Sequence, residues 1–180
     1  DDPERFALDP DHLPEVVDDG SRVRWPESAA SRELRVTDAA GDRSLGDVDV
    51  VFPILHGRFG EDGTVQGLLE LVGLPYVGNG VLASAICIDK LTFKRLLDFH
   101  GIPQVRFCAV GDGGWRELVA SFGLPVWVKP SRLGSSVGIT KVTDWADLDD
   151  AVELAFSHDT KVLVEAAIRG REIECGVLEE

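Results

Sequence analysis

The chain has 180 residues, of which 44% are hydrophobic and 28% charged, a composition typical of a globular protein with one substantial core or two small ones. Its 32 acidic and 18 basic residues give a formal net charge of −14, which argues against nucleic acid and anionic membranes as partners. No apolar run approaches the ~20 residues that a membrane-spanning helix needs.

Both ends of the sequence look cut. The chain contains no methionine, so we expect the native start to be missing, and no signal peptide opens it. Three cysteines, Cys87, Cys108 and Cys175, are scattered and lie in apolar contexts. They predict buried thiols in a reducing compartment such as the cytoplasm.

Residues 1–46 carry few apolar clusters among Pro, Asp, Arg and Ser, and we predict connecting and edge structure there, with a solvated turn at residues 18–20. The β-branched run at residues 48–55 predicts a buried parallel strand. A helix is predicted from Thr64 to the break at Gly73, followed by a short strand at 76–78. Strand, helix and strand in this order indicate a parallel-strand α/β layer.

Two helices are predicted next, over residues 82–88 and from Lys90 to about His100. Strands are then expected at 105–110, 125–130, 137–142 and 161–165, with the third as hairpin partner of the second, and helices near 115–122 and 145–155. We place a domain boundary near residues 92–103, which divides the α/β chain into domains 1–92 and 93–180.

Lys129 stands at the end of a predicted strand and is followed by a loop rich in glycine and serine, residues 130–138. An ammonium group beside backbone N–H groups and hydroxyls suits a polyphosphate, and glycine allows close approach of the backbone. The loop is not a Walker motif. A polar hairpin without a ligand is an equally good interpretation of this segment alone.

Two further segments carry polar side chains after predicted strands. Glu165 ends a strand and Glu172 follows after a short linker, an arrangement that suits adenine against the linker backbone and a carboxylate on the ribose hydroxyls. Two surface glutamates are the alternative. His56 lies between a strand and a helix N-terminus, where anions bind, although it could also merely cap the loop.

Taken together and in order, these segments resemble the D-alanine–D-alanine ligases of the ATP-grasp superfamily over roughly residues 48–180. The motifs that carry the resemblance are His56-Gly57-x-x-Gly60-Glu61-Asp62-Gly63, Gln66-Gly67-Leu68, Gly73-x-Pro75-Tyr76-x-Gly78, Ser84-Ala85 with Asp89-Lys90, and Val128-Lys129-Pro130 with Gly134-Ser135-Ser136-Val137-Gly138.

The resemblance implies roles for individual residues. Lys90 and Lys129 match the two lysines that contact ATP phosphates. Ser135 matches the loop serine that contributes to D-alanine binding and to closure, and Ser136 beside it is assigned to the nucleotide. His56 matches a histidine beside the first D-alanine. Ser135 and His56 are therefore the catalytic candidates.

The adenosine side of the site follows from the same resemblance. Glu165 and Ile168 match the hinge against adenine, and Glu172 matches the glutamate that binds ribose. Many relatives carry a lysine directly after the hinge glutamate, whereas this chain has Ala166, a departure that concerns one adenine contact.

The family mechanism implies that ATP phosphorylates one D-alanine and that the amine of a second attacks the acyl phosphate, yielding a peptidoglycan precursor. The family's opening strand, and the C-terminal half with its ligands for Mg²⁺ (or Mn²⁺), have no match here. We therefore assign no metal ligands and expect the isolated chain to be inactive. The resemblance suggests a homodimer. The alternatives are a sister ligase for D-lactate or D-serine and a non-catalytic nucleotide-binding fragment.

Overall fold

The computed structural model describes residues 18–178, which fall into two compact units. One unit holds the described residues up to Phe52 together with Leu68–Val77, and the other holds Pro53–Gly67 and the described residues from Gly78 onward. This division by compactness differs from the boundary near residue 92, which stays a prediction. None of the helices between residues 18 and 178 is both long enough and apolar enough to cross a membrane.

The first unit contains a three-stranded antiparallel sheet where connecting structure was expected. Its strands are β1 (Arg22–Arg24), β2 (Glu33–Asp38) and β3 (Gly41–Asp47), in the order β1-β2-β3. Only Val36 is buried in it, and arginine–carboxylate pairs such as Arg35–Asp42 (3.0 Å) hold its surface. The prediction of connecting and edge structure over residues 1–46 was wrong for these strands. Their side chains are mostly polar, so they lack the apolar–polar alternation by which a strand is recognised in a sequence. Residues 1–17 lie outside the described part.

The predicted turn at residues 18–20 is confirmed. The carboxylates of Asp18 and Asp19 accept hydrogen bonds of 2.9 and 2.8 Å from the backbone N–H groups of Gly20 and Ser21, and the segment is exposed. These are Asx turns, in which an aspartate side chain replaces a backbone acceptor.

The predicted buried strand at residues 48–55 is reduced to one parallel bridge between Val51 and Tyr76. Val51 donates to the carbonyl of Pro75 (2.8 Å) and accepts from the N–H of Val77 (2.9 Å). Phe52 and Ile54 are 68% and 71% exposed, so the prediction of burial was wrong. Among the described residues no other strand pairs with this run.

The helix between these two segments is confirmed as α1 (Thr64–Val72). It ends at Gly73, whose φ of +68° allows the N–H of Leu74 to donate to the carbonyl of Leu69 (3.0 Å). A Cβ on residue 73 would lie 2.6 Å from that of Ala29, so glycine is also required for space. The strand–helix–strand order is thus present, with a single bridge in place of full strands.

The second unit is built on a four-stranded antiparallel sheet with the order β4-β7-β5-β6. Its strands are β4 (Phe107–Ala109), β5 (Val126–Pro130), β6 (Thr140–Val142) and β7 (Val162–Ala166). The four predicted strands and the β5–β6 hairpin are confirmed, with shorter bounds for β4, β5 and β6 and a shift of one residue for β7. Mixed helix and sheet, the predicted α/β class, is also confirmed, although both sheets are antiparallel.

Helices cover both faces of this sheet. On one face, α4 (Trp115–Phe122) and α5 (Leu148–His158), the latter preceded by a 3-10 turn at Trp145–Asp147, pack over the sheet. The side chains that form this core are Cys108, Val119, Val126, Val128, Val142, Leu148, Ala151, Ala155, Val162 and Val164. Each fully buried valine contributes on the order of 1.5–3 kcal/mol, so this face dominates the stability of the unit.

The opposite face of the sheet positions the candidate site. It packs Ala109 and Leu163 against Leu91 of α3 (Lys90–Phe99), which follows α2 (Val81–Ile88). Side chains alternate between the faces of a strand, so Trp127 and Lys129 of β5 lie on the α3 side while Val126 and Val128 lie in the first core. The helices predicted over residues 82–88 and from Lys90 to about His100 are confirmed as α2 and α3.

The cysteines do not all behave as expected. Cys108 is buried beneath α4, and burial raises the pKa of its thiol to about 11. Cys87 and Cys175 are exposed, so the prediction of three buried thiols was wrong for these two. All three are free of disulfide bonds.

Candidate functional site

A buried carboxylate, Glu165 on the central strand β7, lies between two lysines. Its Oε2 accepts a 2.6 Å hydrogen bond from Nζ of Lys129, and its Oε1 lies 3.0 Å from Nζ of Lys94 on α3. Burial by itself raises the pKa of Glu165, but the hydrogen bonds from Lys129 and Lys94 outweigh it and hold that pKa below its ordinary value. Glu165 is therefore ionised at neutral pH.

Lys90 completes this cluster from the first turn of α3. Its Nζ donates to the carbonyl of Leu133 and, at 3.4 Å, to the carbonyl of Ser131, both at the start of the glycine/serine loop. Burial and, second, the nearby charge of Lys129 lower the pKa of Lys90. We call Lys90, Lys94, Lys129 and Glu165 the lysine cluster.

The lysine cluster has a local excess of positive charge on a strongly acidic chain. Three ammonium groups face one carboxylate, while the two other carboxylates nearby have partners of their own. Asp159 is paired with Arg132, and Asp89 accepts a 2.5 Å hydrogen bond from Lys161. Such a local excess attracts an anion even where the net charge repels it.

Ser131 fixes the start of α3 to the end of β5. Its buried Oγ donates to Asp89 (2.7 Å) and accepts from the N–H of Leu91 (3.0 Å), and its carbonyl accepts from the N–H of Lys90 (2.9 Å). Asp89 is also the N-cap of α3, through a 3.0 Å bond from the N–H of Thr92. The placement of Lys90 relative to Lys129 therefore depends on this pair of residues.

The glycine/serine loop connects β5 to β6 over residues 131–139. Ser135 and Ser136 are exposed and have φ values of +50° and +60°, which lie in the left-handed region that non-glycine residues rarely adopt. Strained backbone of this kind is concentrated at ligand-binding segments. Neither serine side chain bonds to another residue of the described part.

The other proposed site residues lie apart from the lysine cluster. His56 is 85% exposed, and its Nδ1 lies 3.9 Å from Oε1 of Glu61. Ile168 is 72% exposed, and Glu172 is exposed in the irregular segment after β7. The structure thus brings together Lys90, Lys129 and Glu165, and it shows no contact of these three residues with His56, Ile168 or Glu172.

Sequence reasoning missed Lys94, Ser131 and the side-chain role of Glu165. Lys94 had a signal, because it stands four residues after Lys90 and hence on the same face of α3. Ser131 had none, because its partner Asp89 lies 42 residues away in the chain. Glu165 was assigned to an adenine hinge, which stays a prediction, and the structure adds that its carboxylate bridges two lysines.

Among residues 18–178, no group of three or more His, Cys, Asp or Glu side chains is placed to hold a metal ion. The carboxylates closest to the lysine cluster are engaged by lysine or arginine, as described above. We therefore assign no metal ligand among the described residues.

Comparisons with known proteins place these features in a family. The family model described as D-ala D-ala ligase N-terminus matches residues 5–79, and the one described as D-ala D-ala ligase C-terminus matches residues 96–180. Proteins named D-alanine–D-alanine ligase from Streptomyces coelicolor and Nocardia farcinica are 48% and 52% identical over 99% and 97% of this chain. The chain spans about half the length of these relatives, 50% and 49%.

Solved structures agree with the sequence matches. The VanG D-Ala:D-Ser ligase from Enterococcus faecalis is 40% identical with a TM-score of 0.70, and the match covers 82% of this chain and 43% of that one. The D-alanine–D-alanine ligase from Coxiella burnetii is 37% identical with a TM-score of 0.66, over 77% and 44% of the two chains. The chain therefore belongs to the D-alanine–D-alanine ligase family.

Proposed function

We propose that the protein carrying this chain joins two D-alanine molecules at the expense of ATP, and that this chain provides most of the nucleotide side of the site. The observation that carries the proposal is the lysine cluster beside the glycine/serine loop. Lys90 and Lys129 bring two cationic groups to one place, next to backbone in the left-handed conformation. Both features favour a polyphosphate ligand.

ATP would supply the phosphoryl group that activates the first D-alanine for attack by the amine of the second. Lys129 and Lys90 would neutralise charge on the phosphates, which is the main electrostatic demand of phosphoryl transfer. The loop with Ser135 and Ser136 would close over the site and exclude water from the activated carboxyl group. His56, Glu165, Ile168 and Glu172 are proposed for the first D-alanine, the adenine hinge and the ribose, as the family pattern assigns them.

We assign no metal ligands to the residues of this chain. We infer from the family that the protein uses a divalent cation held elsewhere, works as a homodimer in the cytoplasm and serves peptidoglycan synthesis. We also retain the proposed domains 1–92 and 93–180. Light scattering of the full-length protein tests the dimer directly.

The test of function is a product assay on the full-length protein with ATP, MgCl₂ and D-alanine. We expect ADP release that depends on D-alanine, and D-alanyl-D-alanine as the product by mass spectrometry, with L-alanine as the inactive control substrate. ATP binding without D-alanine-dependent turnover would instead favour a non-catalytic nucleotide-binding protein.

A second candidate is a ligase for D-serine or D-lactate. Similarity to the VanG D-Ala:D-Ser ligase supports it for D-serine. In the same assay, D-serine and D-lactate are offered as acceptors in competition with D-alanine. Preferential formation of D-alanyl-D-serine or D-alanyl-D-lactate would replace D-alanine as the proposed second substrate.

A further inference from the structure

Each carboxylate oxygen of Glu165 is held by a different lysine. Oε2 bonds to Lys129 on the neighbouring strand β5, and Oε1 lies 3.0 Å from Lys94 on α3. The side chain of Glu165 is 8% exposed, so water contributes little to its solvation. Two positive charges share one buried negative charge, and either ammonium alone would suffice to neutralise it.

The two lysines differ in their surroundings. Nζ of Lys94 lies 3.3 Å from Oε1 of Gln104 and 5.2 Å from the ring centre of Phe107, and its side chain is 14% exposed. Lys94 is thus enclosed by groups of the protein. Lys129 is the more exposed of the two, at 23%, and its Nζ lies 5.9 Å from the ring centre of Trp127.

A ligand phosphate that draws Lys129 away from Glu165 would leave the buried carboxylate without a counter-ion if no second cation were present. An uncompensated buried charge is strongly unfavourable, so Glu165 alone would hold Lys129 back. Lys94 would remove this cost by staying on Oε1 and keeping Glu165 neutralised.

We infer that Lys94 is a positioning residue that acts through Glu165 and releases Lys129 for contact with the phosphates of the nucleotide. The inference rests on the proposed nucleotide site. It assigns to Glu165 a second role, as the shared counter-ion of the two lysines, which the adenine-hinge assignment does not include.

The experiment is a double-mutant cycle on the full-length protein, with ADP and adenosine affinities measured by calorimetry. Lys94→Gln removes the charge at similar length, Lys94→Arg keeps it, and Glu165→Gln removes the carboxylate. Arg95→Gln is the matched control, because Arg95 lies on the same helix in an exposed pair with Asp112. Should Lys94→Gln fail to fold, Lys94→Met takes its place, since it keeps an unbranched buried stem.

We expect Lys94→Gln to weaken ADP binding about tenfold, within the range of coupling in one ion-pair network. Adenosine binding should be unchanged, Lys94→Arg should restore the affinity, and Lys94→Gln should cost less than about twofold in the Glu165→Gln background. An undiminished loss in that background, or an equal loss for adenosine, would overturn the inference. So would wild-type affinity of Lys94→Gln, whereas a wild-type protein that binds no ADP would overturn the proposed function itself.

Discussion

The hydroxyl of Ser131 and the carboxylate of Asp89 meet at 2.7 Å, although 42 residues separate them in the chain. This contact joins the loop after β5 to the N-cap of α3, and both the phosphate-facing lysines of the proposal are its immediate neighbours: Lys129 lies two residues before Ser131, and Lys90 directly follows Asp89. The relative position of the two ammonium groups consequently depends on a hydrogen bond between two side chains to which the proposal assigns no contact with the ligand.

Ser131→Ala is expected to destabilise the full-length protein by about 1–3 kcal/mol, because it leaves the N–H of Leu91 without its acceptor and removes a donor to Asp89 in a buried site. Urea unfolding measures the loss. Ser157→Ala is the matched control, because the hydroxyl of Ser157 donates only to a carbonyl on an exposed helix face. Equal stability of the two variants would contradict the role of Ser131.

The stability contributed by Asp89 should depend on pH. Its pKa is lowered from 3.8 to about 2: burial raises it, but hydrogen bonds from Lys161, Ser131 and the N–H of Thr92 outweigh burial. The folded state therefore favours the ionised carboxylate, so this stability is present above pH 4 and is lost as the pH falls toward 2.

Asp89→Asn removes that dependence. The difference in unfolding free energy between wild type and variant should be about 1–2 kcal/mol at pH 7 and should narrow between pH 5 and pH 3. Urea titrations at the three pH values measure it. A difference that stays constant over this range would show that Asp89 does not contribute through its charge.

Lys129→Ala is expected to weaken the use of ATP by about 1.5–3 kcal/mol in kcat/KM, because a charge-assisted contact to phosphate is lost. Lys141→Ala is the control, because this substitution removes the same charge from the same sheet. Lys141 lies on β6, opposite Trp127 of β5. Steady-state kinetics with varied ATP compares them. Unchanged ATP kinetics of Lys129→Ala would refute the assignment.

Ser135→Ala is expected to lower kcat about tenfold or more while the affinity for ATP changes less than about twofold, because a hydroxyl on a closing loop acts when the loop covers the substrates. ATP affinity is measured by calorimetry and kcat in the product assay. If the affinity alone falls, Ser135 is a phosphate ligand rather than a residue of the closed state.

Gly138→Ala is expected to destabilise the protein by about 1–3 kcal/mol. Gly138 has a φ of +68°, and a Cβ there would lie 2.7 Å from Cδ2 of His158 and 3.0 Å from Cγ of Pro130. Gly134→Ala in the same loop is the control, because nothing lies within 4 Å of its added Cβ. Thermal unfolding compares the two, and a larger loss for Gly134→Ala would contradict the steric argument.

The elements predicted best from the sequence are those in which the regular spacing of apolar residues lies within one continuous segment. Helices such as α1 and α4, and the alternating strand β5, carry their own pattern and their own stop signals, and all were found. The sheet of β1, β2 and β3 was missed because it buries only one hydrophobic side chain, Val36, and polar contacts dominate its surface.

The candidate site was predicted in part for a similar reason. Lys129 and Lys90 could be singled out by their positions in short motifs, which are local in sequence. The bridging of Glu165 by Lys94 and Lys129 depends on the packing of α3 over β7, and the contact of Ser131 with Asp89 depends on the same packing. A single amino-acid sequence contains no pattern that predicts contacts between residues so far apart in the chain.

The order of the second sheet has a consequence for how the site comes into being. Among the described strands of this sheet, the inner strand β7 comes last along the chain, and β4 and β5 bond to it rather than to each other. Before β7 joins the sheet, the β5–β6 hairpin and β4 have no strand between them to connect them. Non-local pairing of this kind is slow and leaves apolar surface exposed until it completes. Because Glu165 arrives on that same strand, the lysines of α3 and β5 acquire their common counter-charge in the step that closes the sheet.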